Sequence, residues 1–209
     1  MPITFAKVNI MYFRLRNNPS AVIVLSEIYG ITSSVRLSCD ALHNRGFDTI
    51  APDYFMLPRT FAATEQKAAH DAFLSFGFDN AARYVRELVD KVRPHYRKVF
   101  LAGFSAGATT AWICAAGEPR CDGIAAIYGS RIRDYTSLKP QIPSLVIFPE
   151  KESSFDVNDM CRVISSSPHV STRIYEGPHG FADKRSVCYH EGSCCRAHDE
   201  ISSFFINIR

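Results

Sequence analysis

The chain has 209 residues, 46% of them hydrophobic and 22% charged, which fits a single domain spanning 1–209 that buries roughly two-thirds or more of its unfolded surface. That balance excludes disorder, a fibrous repeat and a multi-domain machine. Its net charge is only +3, and no basic cluster marks a nucleic-acid footprint.

Apolar runs such as 21–25 and 145–148 are far shorter than the ~20 residues a bilayer crossing needs. The opening Met1-Pro2-Ile3-Thr4-Phe5 lacks the charged and apolar regions of a secretory leader, so a cytoplasmic location with no membrane partner is expected. Seven cysteines at scattered spacings, with Cys194 and Cys195 adjacent, read as reduced and mostly buried thiols rather than a disulfide framework.

Taken in order, residues 3 to 16 suit an edge strand or hairpin, and Ala21 to Leu25 is the unbroken apolar run of a strand buried on both faces. Val35, Cys39 and Leu42 recur at helical spacing within 34–45, with Gly46 placed for a C-terminal cap. Thr49 to Ala51 is the next strand and 60–76 a helix. Asp79 caps a further helix whose apolar face is Ala82, Val85, Leu88, Val89 and Val92, stopped near Pro94.

Lys98 to Ala102 is a strand running directly into a small-residue helix, 106–116. Ile124 to Tyr128 and Leu145 to Phe148 are strands, 157–165 a helix, Thr172 to Tyr175 the last strand and 197–207 the closing helix. Strands alternating with helices predict an α/β fold with a mainly parallel sheet of about six strands covered on both faces.

The chemistry concentrates at Val99-Phe100-Leu101-Ala102-Gly103-Phe104-Ser105-Ala106-Gly107-Ala108, a strand entering G-x-S-x-G and then a helix. Such a turn is too tight for side chains two positions either side of the serine, so Gly103 and Gly107 suit it, and it lifts Ser105 above the sheet edge. A serine that merely caps a helix needs no glycine on both sides.

A hydroxyl becomes a useful nucleophile only when a base takes its proton. Of the histidines after Ser105, His179 lies in Tyr175-Glu176-Gly177-Pro178-His179-Gly180-Phe181, just past the last strand, where a sheet-top base belongs. The acid should close the strand 143–148, where Glu150, Glu152 and Asp156 follow and spacing does not choose among them. Two N–H donors must face the developing oxyanion. Ala106, after the nucleophile, supplies one and Ile28, in Ser26-Glu27-Ile28-Tyr29-Gly30, is the candidate for the other.

Together these segments resemble the dienelactone hydrolase family of α/β-hydrolases. The matching pieces are Val24-Leu25-Ser26-Glu27-Ile28-Tyr29-Gly30, Arg45-Gly46-Phe47 leading to Ala51-Pro52-Asp53-Tyr54, Gly103-Phe104-Ser105-Ala106-Gly107, and Tyr175 with His179-Gly180-Phe181. The resemblance implies an α/β-hydrolase fold with Ser105 as nucleophile, His179 as base, and Ile28 and Ala106 as oxyanion amides. Phe148-Pro149-Glu150-Lys151-Glu152 is similar to the family's acid-bearing segment, which points to Glu152, with Asp156 as fallback. Glu27 matches a glutamate that contacts the resting nucleophile.

Three departures stand out. Serine replaces the cysteine of the best-known members, and Glu152 replaces an aspartate. Of the family's two arginines for the substrate carboxylate, one falls where this chain has Asp183 and the other near Thr64. Lys184, Arg185, Arg59 and Lys67 are the nearby cations, and no motif selects among them. The resemblance therefore implies hydrolase chemistry without the dienelactone substrate.

His190, Cys194 and His198 recur every fourth residue, but Gly192-Ser193 interrupts them and no second ligand cluster exists, so no metal is expected. Tyr54, Phe55, Met56, Leu57, Phe61, Phe73, Phe76 and Phe78 suit either a pocket wall or core packing, and little length remains for a large lid. The expected protein is a serine hydrolase, monomer or homodimer, cleaving a small ester, lactone or thioester without a cofactor. The rival reading is a non-catalytic ligand-binding or regulatory protein on the same scaffold.

Overall fold

The structure, a computed structural model, describes residues 10–57 and 59–208. Seven strands form one sheet: β1 (Ile10–Arg14), β2 (Ser20–Leu25), β3 (Asp48–Pro52), β4 (Lys98–Phe104), β5 (Gly123–Ile127), β6 (Ser144–Lys151) and β7 (Val170–Pro178). Their order is β1-β3-β2-β4-β5-β6-β7; β1 runs antiparallel to β3 and the remaining pairs are parallel. The edge element expected over 3–16 is thus strand β1 within the described residues, and its first part, 3–9, lies outside them.

Five helices cover the sheet: α1 (Ser33–His43), α2 (Gln66–Val92), α3 (Ala106–Ala115), α4 (Val157–Ile164) and α5 (Glu191–Ile206). Strand periodicity divides β2 between two cores. Ala21, Ile23 and Leu25 pack with α2 and α3, while Val22 and Val24 pack with α1 and α5. α4 joins the α3 face through Trp112, Val146, Phe148 and Met160.

Helix boundaries differ from the sequence reading chiefly in α2, which starts at Gln66 rather than 60, and in α5. The helices expected over 60–76 and from Asp79 form one element kinked at Gly77 (φ 77°, ψ 163°), so Asp79 sits in the first turn after the kink. Glycine takes that backbone conformation without a Cβ clash. α5 starts at Glu191 rather than 197, because the His190 side chain accepts the Ser193 N–H at 3.1 Å and satisfies a donor at the helix start.

Candidate active site

β4 ends at Phe104 and α3 begins at Ala106, leaving Ser105 as the joint between them, at φ 52° and ψ −109°. That conformation is costly for a residue with a side chain and persists only when its surroundings hold it. Here the Ser105 N–H donates to the Ile127 carbonyl at 2.9 Å and its carbonyl accepts the Thr109 N–H at 3.1 Å. The flanking glycines are required for separate reasons. A Cβ at Gly103 would stand 2.2 Å from the Gly107 carbonyl oxygen, and one at Gly107 would stand 2.3 Å from the Leu25 carbonyl oxygen.

The elbow points the Ser105 hydroxyl at His179, with Oγ to Nε2 at 3.0 Å. His179 follows β7 directly, and the Tyr128 ring packs against its imidazole at a centroid distance of 5.1 Å. On the other side of the ring, His179 Nδ1 lies 2.8 Å from Glu152 Oε2. The Glu152 side chain is only 5% exposed. Burial pushes its carboxyl up, but the hydrogen bond and charge of His179, with bonds from Ser154, pull it below the usual range.

Of the three carboxylates past 148, the structure brings only Glu152 to the imidazole. Asp156 is occupied as the cap of α4, accepting the Asp159 N–H at 2.9 Å, and Glu150 is exposed on β6. Ala106 is the first residue of α3, so its N–H lies outside the helical ladder. Among the described residues, neither it nor the Ile28 N–H donates to a protein backbone acceptor.

Glu27 and Ser105 line the same cleft. The Ser105 hydroxyl is hydrogen-bonded to His179, and the Glu27 carboxyl takes a hydrogen bond from the Tyr128 hydroxyl. Burial, then the charge of Asp183, pushes Glu27 up to about 7 against the opposing effects of Tyr128, His179 and Arg185. Tyr128 (φ 41°) directly follows β5.

Ser105, His179 and Glu152 open into a cleft of about 730 Å³. Its walls are mixed: Ile28, Tyr29 and Val187 contribute apolar surface, and Thr64, Arg133 and Arg185 contribute polar groups. The segment 54–78 contributes Ala63, Thr64 and Gln66 to them, whereas its aromatics Tyr54, Phe55, Phe73 and Phe78 are buried in the core. Of the four cations considered from sequence, Arg59 pairs with Glu65, Lys67 with Asp71, and Lys184 lies over the Tyr189 ring. Only Arg185 reaches the cleft, and it is ion-paired to Asp183 at 2.7 Å and lies over the Tyr29 ring.

Sequence reasoning missed Tyr128, Arg133 and Ser154. Each follows the carboxyl end of a strand, which is where such sheets present their sites, and that was the available signal.

The three residues weighed as metal ligands have other partners. His190 caps α5, while His198 bonds Ser38 Oγ at 3.1 Å and lies 3.8 Å from Cys194 Sγ. Among the described residues no group of three or more His, Cys, Asp or Glu is placed to hold a metal, and no helix is long and apolar enough to cross a membrane. All seven cysteines are free, and Cys39, Cys114, Cys121 and Cys194 are buried.

A histidine joined on one side to a serine hydroxyl and on the other to a carboxylate can take the hydroxyl proton and carry the resulting charge. The free amides at the start of α3 favour negative charge beside that oxygen.

The family model for the dienelactone hydrolase family matches residues 11–208. The protein YczH of Bacillus subtilis (strain 168) is 32% identical over 171 residues, 81% of this chain and 84% of its own length. Among solved structures, dienelactone hydrolase from Anabaena variabilis aligns with a TM-score of 0.65 at 18% identity, covering 91% of this chain and 87% of that one. Est1E from Butyrivibrio proteoclasticus, solved with ferulic acid bound, aligns with a TM-score of 0.70 at 10% identity over 100% of this chain and 98% of its own. These two likenesses show the α/β-hydrolase-like fold.

Proposed function

The chain belongs to the dienelactone hydrolase family, and from that premise we propose that it is a serine hydrolase cleaving a small carboxylic ester, lactone or thioester through an acyl-enzyme on Ser105. The observation that carries this reading is the continuous line from Ser105 Oγ to His179 (3.0 Å) to Glu152 (2.8 Å).

His179 Nε2 takes the Ser105 proton as Oγ attacks the substrate carbonyl carbon. The carbonyl oxygen becomes an oxyanion held by the Ile28 and Ala106 amides. Glu152 fixes the imidazole orientation and stabilises its charged form. Collapse of the tetrahedral intermediate breaks the bond to the leaving group, which receives the proton from His179. A water molecule, deprotonated by the same imidazole, then releases the acyl group and restores the serine.

A cleft of about 730 Å³ with mixed polar and apolar walls suits a small substrate that carries a few hydrogen-bonding groups. Asp183 stands where the resemblance places a substrate-binding arginine, so the dienelactone substrate is not part of this proposal.

Turnover of p-nitrophenyl acetate by the wild-type chain and by Ser105→Ala tests the reading. Wild-type turnover with loss of at least about 10³-fold in the variant is expected. Equal rates in the two proteins would refute it.

A further inference from the structure

β6 ends at Lys151, and the next three residues, Glu152, Ser153 and Ser154, turn back on themselves. Within that turn both donors of Ser154 converge on one carboxylate oxygen of Glu152. Its hydroxyl reaches Oε1 at 2.8 Å and its N–H reaches the same oxygen at 3.3 Å. The other oxygen, Oε2, is left to His179 Nδ1.

The two oxygens therefore have separate tasks, one anchored to the protein and one facing the imidazole. A longer contact orients the anchor: Arg133 Nη1, fixed by the Ser130 carbonyl at 2.7 Å, lies 3.4 Å from Ser154 Oγ. With a donor arriving from Arg133, the serine proton is free to point at Glu152.

A glutamate has one more rotatable bond than an aspartate, so holding its carboxylate against a histidine costs more conformational freedom. We propose that Ser154 is a positioning residue for the reaction: it clamps Oε1 of Glu152 so that Oε2 stays on His179 Nδ1, which lets the longer acid serve this site. The inference rests on the serine-hydrolase reading above. It adds a role for a residue of the cleft wall that acts through Glu152. Ser154 is exposed, so removing its hydroxyl leaves the core intact.

The test is a double-mutant cycle read by single-turnover acylation, with enzyme in excess over p-nitrophenyl acetate, so that slow variants remain measurable. Ser154→Ala should slow acylation about three- to tenfold at saturating enzyme, with the enzyme concentration for half-saturation unchanged. Ser154→Thr, which keeps the hydroxyl, should recover most of the rate.

In a Glu152→Gln background, Ser154→Ala should change the rate less than about twofold, because the carboxylate it positions is gone. A purely local structural role would give the same factor in both backgrounds, and that additivity would overturn the proposal. So would an unchanged rate in Ser154→Ala, or no loss in Glu152→Gln. Ser105→Ala in the same assay separates the two levels. If it abolishes acylation while the cycle is additive, only the role of Ser154 fails; if it does not, the serine-hydrolase reading fails first.

Discussion

Asp183 and Arg185 form an ion pair inside the cleft wall, Oδ2 to Nη2 at 2.7 Å, with the aspartate side chain 6% exposed and the arginine 21%. Arg185 also donates to the Phe61 carbonyl at 3.3 Å, and Ser34 Oγ donates to Asp183 at 2.5 Å. The Arg185 guanidinium, part of the cleft lining, is thus already paired.

A substrate carboxylate would have to compete with Asp183 for it. The wild-type chain should therefore prefer uncharged esters, and Asp183→Asn should raise kcat/KM for the mono-p-nitrophenyl ester of succinate, relative to p-nitrophenyl acetate, about tenfold. An unchanged ratio would mean that Arg185 does not reach the acyl group.

Glu152→Gln keeps the side-chain length and removes the charge that stabilises a protonated His179. A fall in kcat on the order of 10²- to 10⁴-fold is expected, with KM changed far less. Asp156→Ala, which removes the cap of α4, should leave kcat within about twofold and cost about 1 kcal/mol of stability. The reverse pattern would move the acid from Glu152 to Asp156.

Glu27 gives a pH signature. Burial and Asp183 push its folded carboxyl to about 7 from an ordinary 4.5, so the folded state holds a proton that the unfolded chain has released between those values. Its contribution is fully present below pH 4.5 and is lost as pH rises toward 7, amounting to about 3 kcal/mol. Urea unfolding of wild type and Glu27→Gln at several pH values should show the variant gaining relative stability across that window. A difference that does not vary with pH would contradict the assignment.

The glycines of the elbow should behave unlike those in open space. Gly107→Ala places a methyl against the rigid Leu25 carbonyl and should cost about 3 kcal/mol or more. Gly117 also has a positive φ (72°), but a Cβ there would meet nothing within 4 Å, so Gly117→Ala should cost only about 1 kcal/mol of backbone strain. Denaturant midpoints at constant slope measure both.

What the sequence made legible was local. The turn at Ser105 is readable because the collisions that demand Gly103 and Gly107 arise within a few residues and at the neighbouring strand end. His179 is readable because it directly follows the last strand of a parallel sheet. Spacing did not choose the acid, to which only the family resemblance pointed, because three carboxylates lie within seven residues and the choice depends on the turn at 152–154 and on Asp156 being used by α4.

Long-range contacts were hidden for the same reason. Glu27 reaches Tyr128, and Arg185 the Phe61 carbonyl, only once the sheet has formed. The aromatics at 54–78 read equally well as pocket or core, since hydrophobicity alone does not say which side of a strand end they fill.

The most direct test of the central claim is labelling with a fluorophosphonate followed by mass spectrometry of the peptide that contains Ser105. One covalent adduct on Ser105 is predicted, with labelling abolished in Ser105→Ala and strongly slowed in His179→Ala. An unlabelled Ser105 in folded wild-type protein, or labelling as fast without His179, would contradict the account.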